Sequence, residues 1–284
     1  MELWAGIKDR KPIGSDLFSK PDPWYRYFRL RFFLDFARRL GLAMGPFVNP
    51  VVAILSYHKV GAPPPEGWTT WNYTPIAEFE SQIDWFVNKG WTFLSASAFV
   101  EGLQNTPLLP RRGVMVTFDD AYASLESSAL PALAARDVPG VVFVPTGLAG
   151  QRNTFDEGIE PAEAIADWEQ LRNWQAAGCS IQSHGASHRS FEDLENDTLR
   201  QELIHSREAI EQHLGRPACL LAYPYGHPGN VAQRTAAWAE EAGYAAAFAY
   251  GGGAVDFGTS LERYHLPRLA MGPSVDPGDL LKGL

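Results

Sequence analysis

Residues Gly113–Asp120 read GVMVTFDD, an apolar and β-branched run that ends in two adjacent carboxylates. Such a run predicts a strand buried on both faces, as in a parallel sheet covered by helices. The pattern recurs outward in both directions. From residue 51, predicted strands cover 51–57, 91–94, 113–118, 140–145, 179–183, 218–223, 244–249 and 266–270. Helical segments separate them. Thr74-Pro75 opens one whose Ile76, Phe79, Ile83 and Phe86 form a core stripe, and residues 197–214 form another, stopped by Gly215 and Pro217. Seven or eight such units predict a β/α barrel. The same alternation also fits an open doubly wound sheet.

The chain has 284 residues, 45% of them hydrophobic, enough for a large buried core. Its 24 Lys and Arg against 33 Asp and Glu leave a formal charge of −9, which argues against nucleic acid as a partner. The two cysteines, Cys179 and Cys219, form no Cys-x-x-Cys pair and read as two buried thiols. No apolar stretch is long enough for a transmembrane span. The opening Met1-Glu2-Leu3-Trp4 lacks a secretory pattern, so the expected location is cytoplasmic or inner-membrane-associated. Residues 1–50 read as an N-terminal helical extension, and 51–284 as the catalytic domain. Within the extension, residues 22–41 predict an amphipathic helix with Tyr25, Phe28, Phe32, Phe36 and Leu40 on one face and five arginines around them. Packing against the main domain is the favoured reading of that face; contact with a membrane surface is the alternative.

Parallel α/β proteins place their chemistry at the carboxyl ends of strands. Here those ends carry Tyr57-His58, Asp119-Asp120, His184 through His188, Tyr223-Pro224-Tyr225-Gly226, and Arg268. Two adjacent carboxylates resist joint ionisation unless a cation separates their roles. His184 and His188 stand four apart, so one helical turn would aim both imidazoles at a shared metal. Asp120, His184 and His188 then hold one divalent ion, most simply Zn²⁺, with Co²⁺, Ni²⁺ or Fe²⁺ also compatible with nitrogen and oxygen donors. Asp119 is left as general base for hydrolysis at a carbonyl carbon, the Tyr225 amide as oxyanion donor, and His58 as the acid that protonates the leaving group. Each piece has a plainer reading as a helix cap, a core histidine or an ordinary turn. Their joint occurrence at successive strand ends favours the catalytic one.

The succession Tyr57-His58-Lys59-Val60, Thr117-Phe118-Asp119-Asp120, Ser183-His184-Gly185-Ala186-Ser187-His188, Tyr223-Pro224-Tyr225-Gly226 and Leu266-Pro267-Arg268 resembles the polysaccharide deacetylases of the NodB-homology, carbohydrate esterase family 4 type. The first and last of these motifs resemble the subgroup of biofilm poly-N-acetylglucosamine deacetylases. The resemblance covers residues 51–271. It implies a distorted (β/α)₇ barrel and metal-dependent removal of acetyl groups from an N-acetylated carbohydrate substrate, with Asp119 as base and Asp120, His184 and His188 as metal ligands. Three positions depart from the family pattern. Ala121 replaces a usual Gly, a mild change if its φ is negative. Gly185 replaces a usual Ser or Thr, which removes a hydrogen bond that would brace the ligand loop. Ala222 stands where an Arg usually pairs with the base, and Arg268 from the last strand is the expected substitute.

The loop after the first strand adds Trp68, Trp71 and Tyr73 as aromatic surfaces for sugar rings, joined by Tyr223 from the fourth motif. Residues 147–166 predict a long specificity loop in which Asp156, Glu157 and Glu160 face an amino-sugar product or solvent. An O-acetyl polysaccharide esterase would use the same oxyanion chemistry, and a catalytically silent carbohydrate-binding barrel would follow if Asp119 were misoriented. A metal-free amidohydrolase fits less well, given the intact Asp-His-His set. A phosphohydrolase fits least well, for want of a phosphate-cradling loop.

Overall fold

The computed structural model describes residues 49–62, 68 and 70–282. The predicted helix 22–41 lies outside them. In chain order the elements are β1 Val51–Tyr57, β2 Lys59–Val60, β3 Tyr73–Thr74, α1 Ile76–Asn88, β4 Thr92–Phe93, α2 Ala96–Gln104, β5 Arg112–Phe118, α3 Ala129–Ala134, β6 Gly140–Val144, α4 Trp168–Ala176, β7 Ser180–Ser183, α5 Asn196–Leu214, β8 Leu220–Ala222, α6 Ala232–Glu241, β9 Ala246–Phe248, β10 Val255–Asp256, β11 Leu269–Ala270 and α7 Pro277–Leu280.

Strands β1, β5, β6, β7, β8 and β9 lie side by side in that order, all parallel. The run from Leu266 to Ala270 touches both edges of this curled sheet. Leu266 bridges Phe248 of β9, while Leu269 and Ala270 pair in parallel with Leu55 and Ser56 of β1. Seven parallel strands therefore close on themselves, which excludes the open doubly wound alternative. One bridge holds the β9 side, and a single pair, Ser183 with Leu221, joins β7 to β8. The sparse pairing at these seams makes the barrel distorted. β10 runs antiparallel to β1 and lies off the parallel path.

The period of two along each strand sorts side chains into two apolar sets. Val52, Ile54, Met115, Val141, Phe143, Leu220 and Phe248 form the inner set, against which Phe99 and Leu103 of α2 pack. Their neighbours Ala53, Leu55, Val114, Val116, Val142 and Ile181 form the outer set. They pack on Phe79, Ile83 and Phe86 of α1, Leu171 and Trp174 of α4, and Leu203 and Ile210 of α5. Ile76, expected in the α1 stripe, is 44% exposed; Gln82 takes a buried place on that helix, donating to the Gly272 and Val275 carbonyls and accepting from the Tyr57 hydroxyl. α5 ends where Gly215 adopts φ 73°, the left-handed cap that favours glycine.

The inner face is apolar low in the barrel and polar at the carboxyl ends. Continuing the alternation past Val52 and Ile54 gives Ser56 and His58, past Met115 gives Thr117 and Asp119, and past Gln182 gives His184. Strand periodicity alone thus carries these groups to one mouth.

Candidate active site

His58, Trp71, Asp119, Asp120, Phe155, Asp156, His184, His188, Tyr225 and Tyr250 line one cavity of about 220 Å³ at the carboxyl end of the barrel. Asp119 and Asp120 are 2% and 3% exposed, His184 and His188 2% and 5%. Burial of four titratable groups without apolar compensation is costly, so their partners decide what the site does.

Arg268 is fully buried and grips Asp119 with both ends of its fork, Nη1 to Oδ1 and Nη2 to Oδ2, each at 2.7 Å. Its Nε–H donates to the Ala249 carbonyl at 2.9 Å, and its guanidinium lies over the Phe143 ring. The substitute for the Arg absent at Ala222 is therefore in contact with the base candidate. Burial pushes the Asp119 carboxyl up, but Arg268, His184 and His58 together outweigh it and hold the group below its ordinary range. Asp119 is a carboxylate with fixed orientation.

Asp120 Oδ1 stands 3.0 Å from His188 Nε2 and 3.4 Å from His184 Nε2. The His184 Nδ1–H donates to the Ala222 carbonyl at 2.8 Å, which leaves the Nε2 lone pair facing Asp120. Asp120 Oδ1 is buried without a hydrogen-bond partner. One ligand atom from each of the three residues falls within 4.8 Å of the others. A carboxylate oxygen and two imidazole nitrogens converging in a buried pocket are donors without a proton to share, a set that suits a divalent cation.

The two histidines do not share a helical turn. Residues 184–188 form a bent loop with Gly185 at φ 72° and His188 at φ 58°, and this bend, not the spacing of four, brings the imidazoles to 4.9 Å. Asp120 and Ala121 are also left-handed, at φ 68° and 55°. The condition under which Ala121 was expected to be mild is not met, and the Cβ is carried at a strained position.

His58 meets Trp71 edge-on at 5.6 Å and Tyr250 at 6.0 Å, with its Nδ1 unpartnered. Burial lowers its pKa, partly opposed by Asp120 and Asp119. Tyr225 is 56% exposed in a left-handed turn, its ring edge-on to His188. Trp71 is 51% exposed on the cavity wall; Trp68 is exposed but outside the cavity lining.

Tyr73 and Tyr223, expected to face substrate, do not. Tyr73 is buried, with its hydroxyl donating to Glu163 and its ring under Lys59, because strand β3 pairs with β2 and turns it inward. Tyr223 belongs to the outer set and donates to the Tyr264 carbonyl at 2.7 Å. Of the acidic loop residues, Asp156 reaches the cavity, Glu157 is exposed, and Glu160 is buried in an ion pair with Lys59 at 3.1 Å.

Phe155 and Tyr250 were missed by the sequence reading. Phe155 stacks on His188 at 3.7 Å, delivered by a loop that Asn153 pins through bonds to Pro161 and Glu163. Tyr250 follows β9 as His58 follows β1, and its place after a strand was the available signal.

Residues 108–247 match the family model described as polysaccharide deacetylase. Over 153 residues the chain is 24% identical to the poly-beta-1,6-N-acetyl-D-glucosamine N-deacetylase of Staphylococcus aureus strain MRSA252; the match covers 53% of this chain and 52% of that protein, so the chain spans about half of its relative. Among solved structures, the Streptococcus pyogenes deacetylase PplD in complex with acetate superposes with a TM-score of 0.70 at 23% identity, covering 82% of this chain and 97% of that one. IcaB from Ammonifex degensii gives 0.66 at 21%, covering 81% and 94%. At these identities the structures speak for the fold: a NodB-type β/α barrel. Just under half of the chain thus matches the polysaccharide deacetylase family, and the matched residues hold both the Asp119-Asp120 strand end and the His184–His188 loop.

Proposed function

We propose that the protein hydrolyses N-acetyl groups from an amino-sugar glycan or glycan precursor. The observation that carries this reading is the pairing, in one cavity, of the Asp120-His184-His188 donor set with a carboxylate, Asp119, locked by Arg268. A divalent cation held by Asp120, His184 and His188, with Zn²⁺ the first choice, would supply Lewis acidity toward the acetyl carbonyl and toward water.

Asp119 takes the proton from the attacking water, since its carboxylate is ionised at neutral pH and cannot turn away from the cavity. Arg268 keeps that orientation and stays protonated throughout. The Tyr225 amide, in its strained turn beside His188, supports the tetrahedral oxyanion. His58, across the cavity, is the group placed to relay a proton to the departing amine; burial lowers its pKa, so once charged it gives up that proton readily. Trp71 forms the exposed face on which a sugar ring stacks, and Phe155 closes the His188 side against bulk water. The named activity of the staphylococcal relative, removal of N-acetyl groups from a poly-N-acetylglucosamine, supports this substrate class for the chain.

The test is acetate release from N-acetylglucosamine oligomers and, in parallel, from an O-acetylated glycan, with protein reloaded with Zn²⁺ after chelation. Release from the N-acetyl substrate, reduced about 10²–10⁴-fold by Asp119→Asn, is expected. Release from the O-acetyl substrate alone would reassign the protein as an esterase. Sugar binding without release from either would make it a carbohydrate-binding barrel.

A further inference from the structure

The loop from His184 to His188 carries two left-handed residues, yet it is held from three sides. Thr146 and Gly147 amides donate to the Gly185 and Ala186 carbonyls, at 3.1 and 2.8 Å, and the Ser183 hydroxyl accepts from the Gly185 amide at 3.2 Å. The third support is a carboxylate. Glu202 Oε2 accepts from both the Ala186 amide, at 2.7 Å, and the Ser187 amide, at 2.9 Å.

Glu202 is an unusual occupant of its place. It is 8% exposed on the buried face of α5, in line with Leu199, Leu203, Ser206 and Ile210. A carboxylate there loses solvation, and apolar packing would serve the helix better. Its compensation is the two loop amides, whose N–H groups meet it in a charge-assisted clamp. Gly185 leaves the room: a Cβ at that position would lie 3.2 Å from Glu202 Oε2 and 3.5 Å from Phe191. Having no side chain, Gly185 also supplies no hydrogen bond of its own to the loop.

We infer that Glu202 is a positioning residue for the metal-ligand loop, holding His184 and His188 in the arrangement that lets both Nε2 atoms meet Asp120. The inference rests on the reading of those three residues as metal ligands. It assigns to a helical residue 14 positions beyond His188 the bracing that the loop itself does not provide. Partners of this kind, which touch no ion but fix its ligands, change metal affinity by about 10–100-fold when removed.

The experiment is metal titration of chelated full-length protein with Zn²⁺, followed by Co²⁺ with its visible spectrum recorded, for wild type, Glu202→Leu and Glu202→Gln. Leucine fills the volume on an apolar helix face and removes both acceptors; glutamine keeps one accepting oxygen. Glu202→Ala repeats the deletion without added bulk should the leucine variant not fold. The expected result is one ion in wild type, an affinity loss of about 10–100-fold with an altered Co²⁺ spectrum in the deletion variant, and recovery to within a few-fold in Glu202→Gln. Thermal midpoints of the chelated proteins should stay close together, since the effect is on the loop. Unchanged affinity and spectrum in the deletion variant, with wild type binding one ion, would overturn the role of Glu202 alone. No ion in wild type would overturn both it and the metal reading.

Discussion

Arg268 fixes how the Asp119 carboxylate is held. It is a fully buried cation whose two outer nitrogens meet the two carboxylate oxygens, and a lysine cannot reproduce that fork. Arg268→Ala should lower kcat by at least about 10²-fold and cost roughly 3–5 kcal/mol of stability, because it strands a buried carboxylate. Arg268→Lys should restore stability better than it restores kcat. Steady-state kinetics alongside chemical denaturation would check both, and an unchanged kcat in Arg268→Ala would remove the assigned role. A residue away from the mouth gives an independent check on burial. The Cys179 thiol, 8% exposed and donating to the Gly140 carbonyl, is pushed up to about 12. Only on the order of 10⁻⁴ of it is thiolate at pH 8. A thiol reagent at that pH should leave Cys179 unlabelled in the native protein and label it after denaturation, as peptide mass mapping would read.

Loops and strands set the walls of the cavity. Lys59, just after β1, is 1% exposed, sits between the Tyr73 and Tyr122 rings, and pairs with Glu160 of the long 147–166 connection. Thr70 donates to the same carboxylate. This buried pair ties the segment bearing Trp71 to the loop that delivers Phe155 and Asp156. Removing one partner leaves a buried charge, so Lys59→Met should cost about 3–5 kcal/mol and raise KM more than it lowers kcat. The double variant Lys59→Met, Glu160→Leu should be less destabilised than the two single effects added together, a coupling that a double-mutant cycle measures directly. Additive effects would mean that the pair does not act as a tie. The α1 and α5 helices needed no such tie to be legible, because Phe79, Ile83, Phe86 and Gly215 stand at helical spacing or at a cap. The 147–166 loop was legible only as a length. Which of its residues turn inward depends on Asn153 bonding to Pro161 and Glu163, contacts that carry no periodicity.

At the scale of the whole molecule, ion binding and folding should be linked. A ligand that binds only the native state stabilises it by about 2.7 kcal/mol at a hundredfold excess over Kd. For a domain of this size that corresponds to a rise in Tm of roughly 5–10 °C. Thermal melts with Zn²⁺ should show this rise in wild type and lose it in His184→Ala; an equal rise in the variant would place the ion elsewhere. Barrel closure is the other global property. It runs through Leu266 and Leu269, so the strand that completes the fold also brings Arg268 to Asp119. The amino-acid order determined the strands, their succession and the identity of the chemical groups at their ends, since period-two burial and β-branched runs are local signals. It also placed His58, Asp119 and His184 on the inner face, because alternation carries that far. The tertiary structure decided the rest. The strained φ at Ala121 and the bent His184–His188 loop come from backbone torsions that side-chain types do not encode, and the inward turn of Tyr73 comes from pairing between β2 and β3. The grip of Arg268 on Asp119 joins residues 149 positions apart. Contacts of that range exist only after the sheet has curled and closed, which is why residue order alone could nominate Arg268 but not set its geometry.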